Sequence, residues 1–329
     1  MHEARHAGGE GGRYRRKPGR FAGDLDDPPG SGAAAEQPVK DARSRALPAE
    51  AVTPRRRALS PRRRALTPRR RALALAAALL LGTGDILAVV LAAACSGAAT
   101  TTLCNSQTFS VSGGAYTIMN NEWGSSAPEC ISTDGNAGFT VVSSSIASAT
   151  NGAPGGYPAI YKGCHWGACT PGSGFPIQVS SIHAGTVTTS WSTTQPGGSN
   201  VYNVAYDIWF NQTPTTSGQP NGAELMIWLN HNGHKHPAGA QVASNVSIGG
   251  HSYHVWFRHG RWNTVSYTMT TGATSVTNLD LRALVADAVS RGYVRSSWYL
   301  IDVEAGFEIW QGGTGLATNS FSVNVPGGG

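Results

Sequence analysis

Between Gly222 and Asn230 the chain alternates strictly, with Leu225, Ile227 and Leu229 interleaved among Glu224, Met226, Trp228 and Asn230. Side chains of an extended strand point to opposite faces with period two. This stretch therefore commits the chain to a sheet with one aliphatic face and one chemically loaded face. The first face demands a core. The second sets a carboxylate, a thioether and an indole in a row, a surface suited to gripping something flat and hydroxylated. The blander reading is a solvated strand face with a chance tryptophan.

From Asp302 to Trp310 the arrangement repeats: Glu304, Gly306, Glu308 and Trp310 share one face, while Val303, Phe307 and Ile309 share the other. Two glutamates on separate strands of one sheet can face each other across a cleft, as cleavage of a glycosidic bond requires. One must be ionised to attack the anomeric carbon. The other must hold a proton for the leaving oxygen, and the charge of the first raises its pKa.

Four segments, in this order and spacing, carry a family resemblance: Asn120-Asn121-Glu122-Trp123-Gly124, Tyr206-Asp207-Ile208-Trp209-Phe210, Glu224-Leu225-Met226-Ile227-Trp228, and Gly306-Phe307-Glu308-Ile309-Trp310-Gln311-Gly312-Gly313. Together they resemble glycoside hydrolase family 12 from about Cys104 to Val325. The resemblance implies an all-β fold: a β-jelly-roll sandwich of two antiparallel sheets with an open substrate cleft. It also implies a retaining endo-β-1,4-glucanase that needs no metal or organic cofactor. By position Glu224 matches the nucleophile, Glu308 the acid/base and Asp207 the aspartate that hydrogen-bonds the nucleophile. Asn121 and Trp123 match a glucosyl-binding subsite on the non-reducing side of the cut. Met226, Trp228 and Trp310 are expected to line the cleft beside the acids, and Pro237 falls in a loop that crosses one end of it. Retention requires carboxyl groups roughly 5–5.5 Å apart. Glu304 shares the face of Glu308, and family members often carry glutamine there. It lies about 13 Å along the strand from Glu308, too far for both to flank one bond.

The charge of +6 belongs to one end of the chain. Residues 1–100 hold 18 Lys and Arg against 9 Asp and Glu, which leaves 7 against 10 for the remainder. The remainder is thus mildly acidic, and a nucleic-acid partner loses its electrostatic support. Residues 1–71 read as a disordered basic leader, poor in large apolar residues and closing in three Pro-Arg-Arg-Arg-Ala-Leu repeats. Proline in each repeat argues against a continuous helix. Residues 72–100 pair an apolar run with small residues behind a basic flank, the layout of an export signal, with a retained membrane anchor as the competing reading. Asp85 weighs against an anchor. Partners are therefore expected to be a β-glucan polysaccharide, no nucleic acid, no obligatory protein, and a membrane only if residues 72–94 are retained.

Residues 101–329 suffice for one all-β catalytic domain. Short alternating runs separated by Gly, Ser, Thr, Asn and Pro clusters recur, including Tyr116–Met119, Val201–Phe210, His251–Arg258, Thr264–Met269 and Tyr299–Ile309. The exception is Leu279 to Gly292, where Leu281, Leu284, Val285, Ala288 and Val289 fall at helical spacing. One amphipathic helix is expected there, on the outer face of a sheet away from the cleft, with Thr277 and Asp280 as a capping box and Gly292 as the C-terminal cap. Cys104, Cys130, Cys164 and Cys169 allow three pairings. Cys164-His165-Trp166-Gly167-Ala168-Cys169 reads most simply as a short disulfide loop, leaving Cys104 for Cys130, and bacterial members of the family resembled show this arrangement. A Cys164, His165 and Cys169 metal site is the rival, disfavoured in an oxidising compartment. His231, His234 and His236 sit in an irregular loop without acidic or thiol neighbours and read as rim residues rather than a metal site.

Overall fold

The computed structural model describes residues 100–328. The expected leader (1–71) and export or anchor segment (72–100) lie outside this span, apart from residue 100. In chain order the strands are β1 (Thr101–Cys104), β2 (Thr108–Val111), β3 (Tyr116–Met119), β4 (Glu129–Thr133), β5 (Phe139–Ser144), β6 (Ala159–His165), β7 (Ala168–Cys169), β8 (Ile177–Gln178) and β9 (Thr188–Thr194). They continue with β10 (Val201–Asn211), β11 (Ala223–Asn232), β12 (Ala240–Ile248), β13 (His251–Arg258), β14 (Asn263–Met269) and β15 (Ser275–Asp280). After the helix α1 (Leu281–Ser290) come β16 (Tyr299–Gly306), β17 (Ile309–Gln311) and β18 (Ala317–Asn324).

These strands form a two-layer β-jelly-roll. One sheet has six strands in the order β1-β4-β5-β18-β9-β15; the other has twelve, nine along the path β12-β13-β14-β11-β10-β16-β6-β3-β2, with β17 on β10, β7 on β6 and β8 on β16. Among the described strands every pairing is antiparallel except one, since β11 runs parallel to β14. The core lies between the layers. Leu225, Ile227 and Leu229 of β11 join Val204, Tyr206 and Ile208 of β10, while Ile131, Val141, Trp191 and Phe321 enter from the smaller sheet. Each such side chain contributes about 1.5–3 kcal/mol through burial. Trp191 meets Tyr206 edge-on at 5.1 Å across the layers, and its indole N–H donates to Thr318 Oγ1 at 3.1 Å.

The helix begins at Leu281, and Asp280 itself caps it by accepting from the Arg282 N–H. The expected Thr277 cap does not form, because β15 persists through Asp280 and holds Thr277 extended. Gly292 does close the C-terminal end, with φ of 78° and its N–H donating to the Val289 carbonyl. Leu281, Leu284, Val285 and Ala288 merge with the main core. Tyr267, whose ring is in that core, donates to Asp287 Oδ2 at 2.8 Å. The helix thus packs its apolar face against the sheet as expected, and its buried residues are continuous with the main core.

The run expected from Tyr299 to Ile309 is broken. β16 stops at Gly306 and β17 resumes at Ile309, with Phe307 and Glu308 between. There the chain closes on 156–158: Phe307 and Ile309 donate to the carbonyls of Pro158 and Gly156. A Cβ at position 306 would come within 2.4 Å of the Pro158 carbonyl oxygen, which explains the glycine. Both disulfides join register partners, Cys104 to Cys130 across β1–β4 and Cys164 to Cys169 across β6–β7.

Candidate active site

Glu224 stands on β11 opposite Trp209 of β10 on one side and Thr264 of β14 on the other. Its Oε2 accepts two hydrogen bonds, from Trp262 Nε1 at 3.1 Å and Thr264 Oγ1 at 3.1 Å. Burial raises its pKa, and these donors together with the nearby Arg258 charge pull it back. A carboxylate that accepts two fixed donors is favoured in its ionised form.

Glu308 is held at the break between β16 and β17 by Asn203 of β10. The Asn203 amide donates to Glu308 Oε2, and the Glu308 N–H donates back to Asn203 Oδ1 at 3.0 Å. Burial first, and then the charge of Glu224, push its carboxyl up to about 8, against the lowering influence of Asn203 and Lys235. The Glu224 charge is among the causes that raise the Glu308 pKa, so the two acids lie near enough to sense each other.

Asp207 lies beside both. It is opposite Met226 on β11 and Glu304 on β16, and burial followed by the charges of Glu224, Glu308 and Glu304 holds its pKa well above the usual range. The expected hydrogen bond from Asp207 to Glu224 is not formed. Trp262 and Thr264 occupy Glu224 Oε2, and Asp207 Oδ1 has no partner. The β10–β11 register explains this, since it sets Trp209 rather than Asp207 directly across from Glu224.

Met226, Trp228 and Trp310 pack with Ala205 into a cluster on the cleft side, separate from the main core. The two indoles are not open platforms: Trp228 is 2% and Trp310 4% exposed. The Lys235 ammonium lies 4.1 Å from the Trp310 ring centre and donates to the Thr150 carbonyl, while Trp310 Nε1 donates to the Gly152 carbonyl at 2.8 Å. Trp123 is the open one, at 47% exposure. Asn121 beside it takes a left-handed φ of 45° and accepts from the Tyr157 N–H, which anchors the segment to the end of β6. Pro237 is buried, and its neighbour His236 stacks on Trp256 at 5.0 Å. His231 and His234 are exposed on the same loop.

Several contacts were beyond the reach of the sequence. Asn203, Trp262, Thr264 and Lys235 all act on the two glutamates, and only the alternation of β10 hinted that Asn203 shares the face of Asp207. Glu304, expected to be a bystander, accepts from or donates to nothing on Glu308. Instead it meets His165 Nδ1 at 2.8 Å, next to Asp302. Among the described residues this trio is the cluster whose donor atoms converge closely enough to hold a metal.

The profile described as "Glycosyl hydrolase family 12" matches residues 114–326. Endoglucanase Cel12A from Rhodothermus marinus, a solved structure, is 43% identical, with a TM-score of 0.65 over 68% of this chain and 98% of that one. The probable cellulase Cel12b of Mycobacterium tuberculosis is 32% identical over 47% of this chain and 99% of its own length. A probable xyloglucan-specific endo-β-1,4-glucanase A of Aspergillus terreus is 28% identical over 65% of this chain and 84% of its own.

Proposed function

The chain belongs to glycosyl hydrolase family 12, and from that premise we propose that it cuts internal β-1,4 linkages of a β-glucan by double displacement. Glu224 attacks the anomeric carbon, and Glu308 gives its proton to the departing glycosidic oxygen. The glycosyl group is then esterified to Glu224. Glu308, now ionised, takes a proton from water, whose oxygen displaces Glu224 and restores both acids. Asp207 is a neutral buried neighbour that keeps a further negative charge away from Glu224. Trp123 and Asn121 hold a glucosyl unit on the non-reducing side, and Met226, Trp228 and Trp310 pack beneath the cleft surface and support it.

The observation that carries this reading is the asymmetry of the two acids. Glu224 has two fixed donors on one oxygen, whereas Glu308 keeps its proton up to about pH 8. The test is incubation with carboxymethyl cellulose, following viscosity against new reducing ends. A steep early fall in viscosity is expected, with products first released in the β configuration by proton NMR. Binding without new reducing ends, or α products, would overturn the proposal. Glu304→Gln is expected to keep activity, and loss of all turnover in that variant would move the acid/base role to Glu304.

Xyloglucan is the second substrate reading, supported by the name of the Aspergillus terreus relative. Comparing kcat/KM on xyloglucan and on carboxymethyl cellulose decides between them. We further infer that the enzyme works outside the cell. Two disulfides suit an oxidising compartment, and residues 72–100 have the layout of an export signal. Sequencing the N-terminus of the secreted protein tests this, with a start in residues 94–100 as the expected result.

A further inference from the structure

Past the catalytic acids the cleft face continues along β16 and β6, where Asp302 and Glu304 share one side of β16. Across from them on β6 stand Gly163 and Tyr161, and His165 ends the strand. The ligand atoms of His165, Asp302 and Glu304 all lie within 4.8 Å of one another. Glu304 Oε1 is 2.8 Å from His165 Nδ1. Asp302 is wholly buried, and no lysine, arginine, histidine or hydroxyl side chain donates to either of its oxygens.

The surroundings keep this space open on one side and shut on the others. A Cβ at Gly163 would come within 2.5 Å of Asp302 Oδ1, so only glycine leaves the carboxylate its room. His165 follows Cys164 of the Cys164–Cys169 disulfide, and its ring lies tilted against Trp166 with centroids 4.4 Å apart. Its side chain is 22% exposed and gives the trio its contact with solvent. Tyr161 faces the trio from β6 and Asp207 from β10. Lys162, the one cation of β6, points elsewhere, over Tyr116. Two buried carboxylates with a single imidazole and no lysine or arginine are electrostatically incomplete, because a buried charge needs a partner.

We propose that His165, Asp302 and Glu304 bind one divalent transition metal ion of the zinc or manganese type, at a position that takes no part in bond cleavage. One imidazole nitrogen and two carboxylate oxygens suit such an ion, and its two charges balance the two acids. Ligand atoms about 2.0–2.2 Å from a tetrahedral metal lie roughly 3.3–3.6 Å apart, so the His165–Glu304 pair, at 2.8 Å, opens as the ion enters. A small rotation of the part-exposed imidazole makes that room. Three protein ligands leave a coordination position for water on the side of His165.

The test is calorimetric titration of chelator-stripped enzyme with zinc chloride and manganese chloride, paired with thermal unfolding. The wild type is expected to take up one ion per chain and to unfold at a higher temperature when loaded. Asp302→Asn and His165→Ala each remove a direct ligand. Each should weaken binding by more than the roughly 10–100-fold that loss of an outer-shell partner costs. A double variant, His231→Ala with His234→Ala, should bind as the wild type does. The proposal is overturned if the wild type shows no saturable uptake. It is equally overturned if the Asp302 and His165 variants bind unchanged, or if the loop variant loses binding. Unfolding in chelator shows whether each variant is folded, and either of the two ligand variants alone suffices for the comparison.

Discussion

On the inner side of β11, Leu225, Ile227 and Leu229 are enclosed by aliphatic and aromatic neighbours. One residue along, on the outer side, Glu224 is half-buried, and the pKa values of Glu224, Asp207 and Glu308 are all raised there by burial and by neighbouring carboxylates. The same backbone ladder supports both. Inner-face burial stabilises the fold, whereas outer-face burial opposes it, because carboxylates are removed from water into each other's fields. The difference teaches that this sheet's stability and its chemistry are written on alternate residues. A substitution can be directed at either one with little effect on the other.

The sharpest way to test that separation is at the acids. Glu308→Gln should lower kcat on carboxymethyl cellulose by about 10²–10⁴-fold, the usual contribution of a positioned general acid, and Glu224→Gln should do at least as much. Both variants should nevertheless unfold at a higher temperature than the wild type, since each removes a half-buried carboxyl from a cluster of acids while its amide keeps an acceptor. An unchanged or lower midpoint would mean that the outer face is not strained by its charges. Conversely, Leu225→Ala should cost about 2–5 kcal/mol in denaturant unfolding, with kcat retained in the fraction that stays folded.

Stability against pH comes next. The folded state holds the Glu308 proton up to about 8, where an ordinary glutamate loses it near 4.5. Glu129, whose carbonyl accepts from Asn120 behind the Trp123 segment, is pushed up to about 7, chiefly by burial. The folded chain therefore binds more protons than the unfolded one between these values, and stability falls as pH rises through that window. The unfolding midpoint should drop from pH 5 to pH 8, and Glu129→Gln should flatten the part below 7. A smaller effect is expected from Asn203→Ala. Losing its amide donor raises the Glu308 pKa further, so the alkaline limb of the kcat profile should move up. Lys235→Met should shift that limb in the same direction and by less, while uncovering the ring of Trp310.

Much of this was legible in the chain. The alternation of 224–230 and 302–310 placed Glu224, Met226, Trp228, Glu308 and Trp310 on one face, because period-two burial is a local property. The helix was legible for the same reason, although its start was not, since strand and helix abut at Asp280 without a turn. β12 escaped notice because it is largely exposed at the sheet edge and shows no alternation. Contacts made across the sheet stayed hidden. Trp262 and Thr264 reach Glu224 only because β14 lies parallel beside β11, and nothing in either segment announces that pairing. Asp302 looked like an unremarkable strand residue until Gly163 and His165 were set opposite it.

That parallel pairing has a consequence for how the enzyme comes into being. β11 and β14 cannot meet through a tight turn, so the chain must first lay down the whole β12–β13 hairpin and return before Glu224 receives its two donors. Such distant pairings close late in folding, after the local hairpins have formed. Catalytic competence is therefore expected to trail the appearance of sheet structure during refolding, and recovery of turnover becomes a clock for the last strand to arrive.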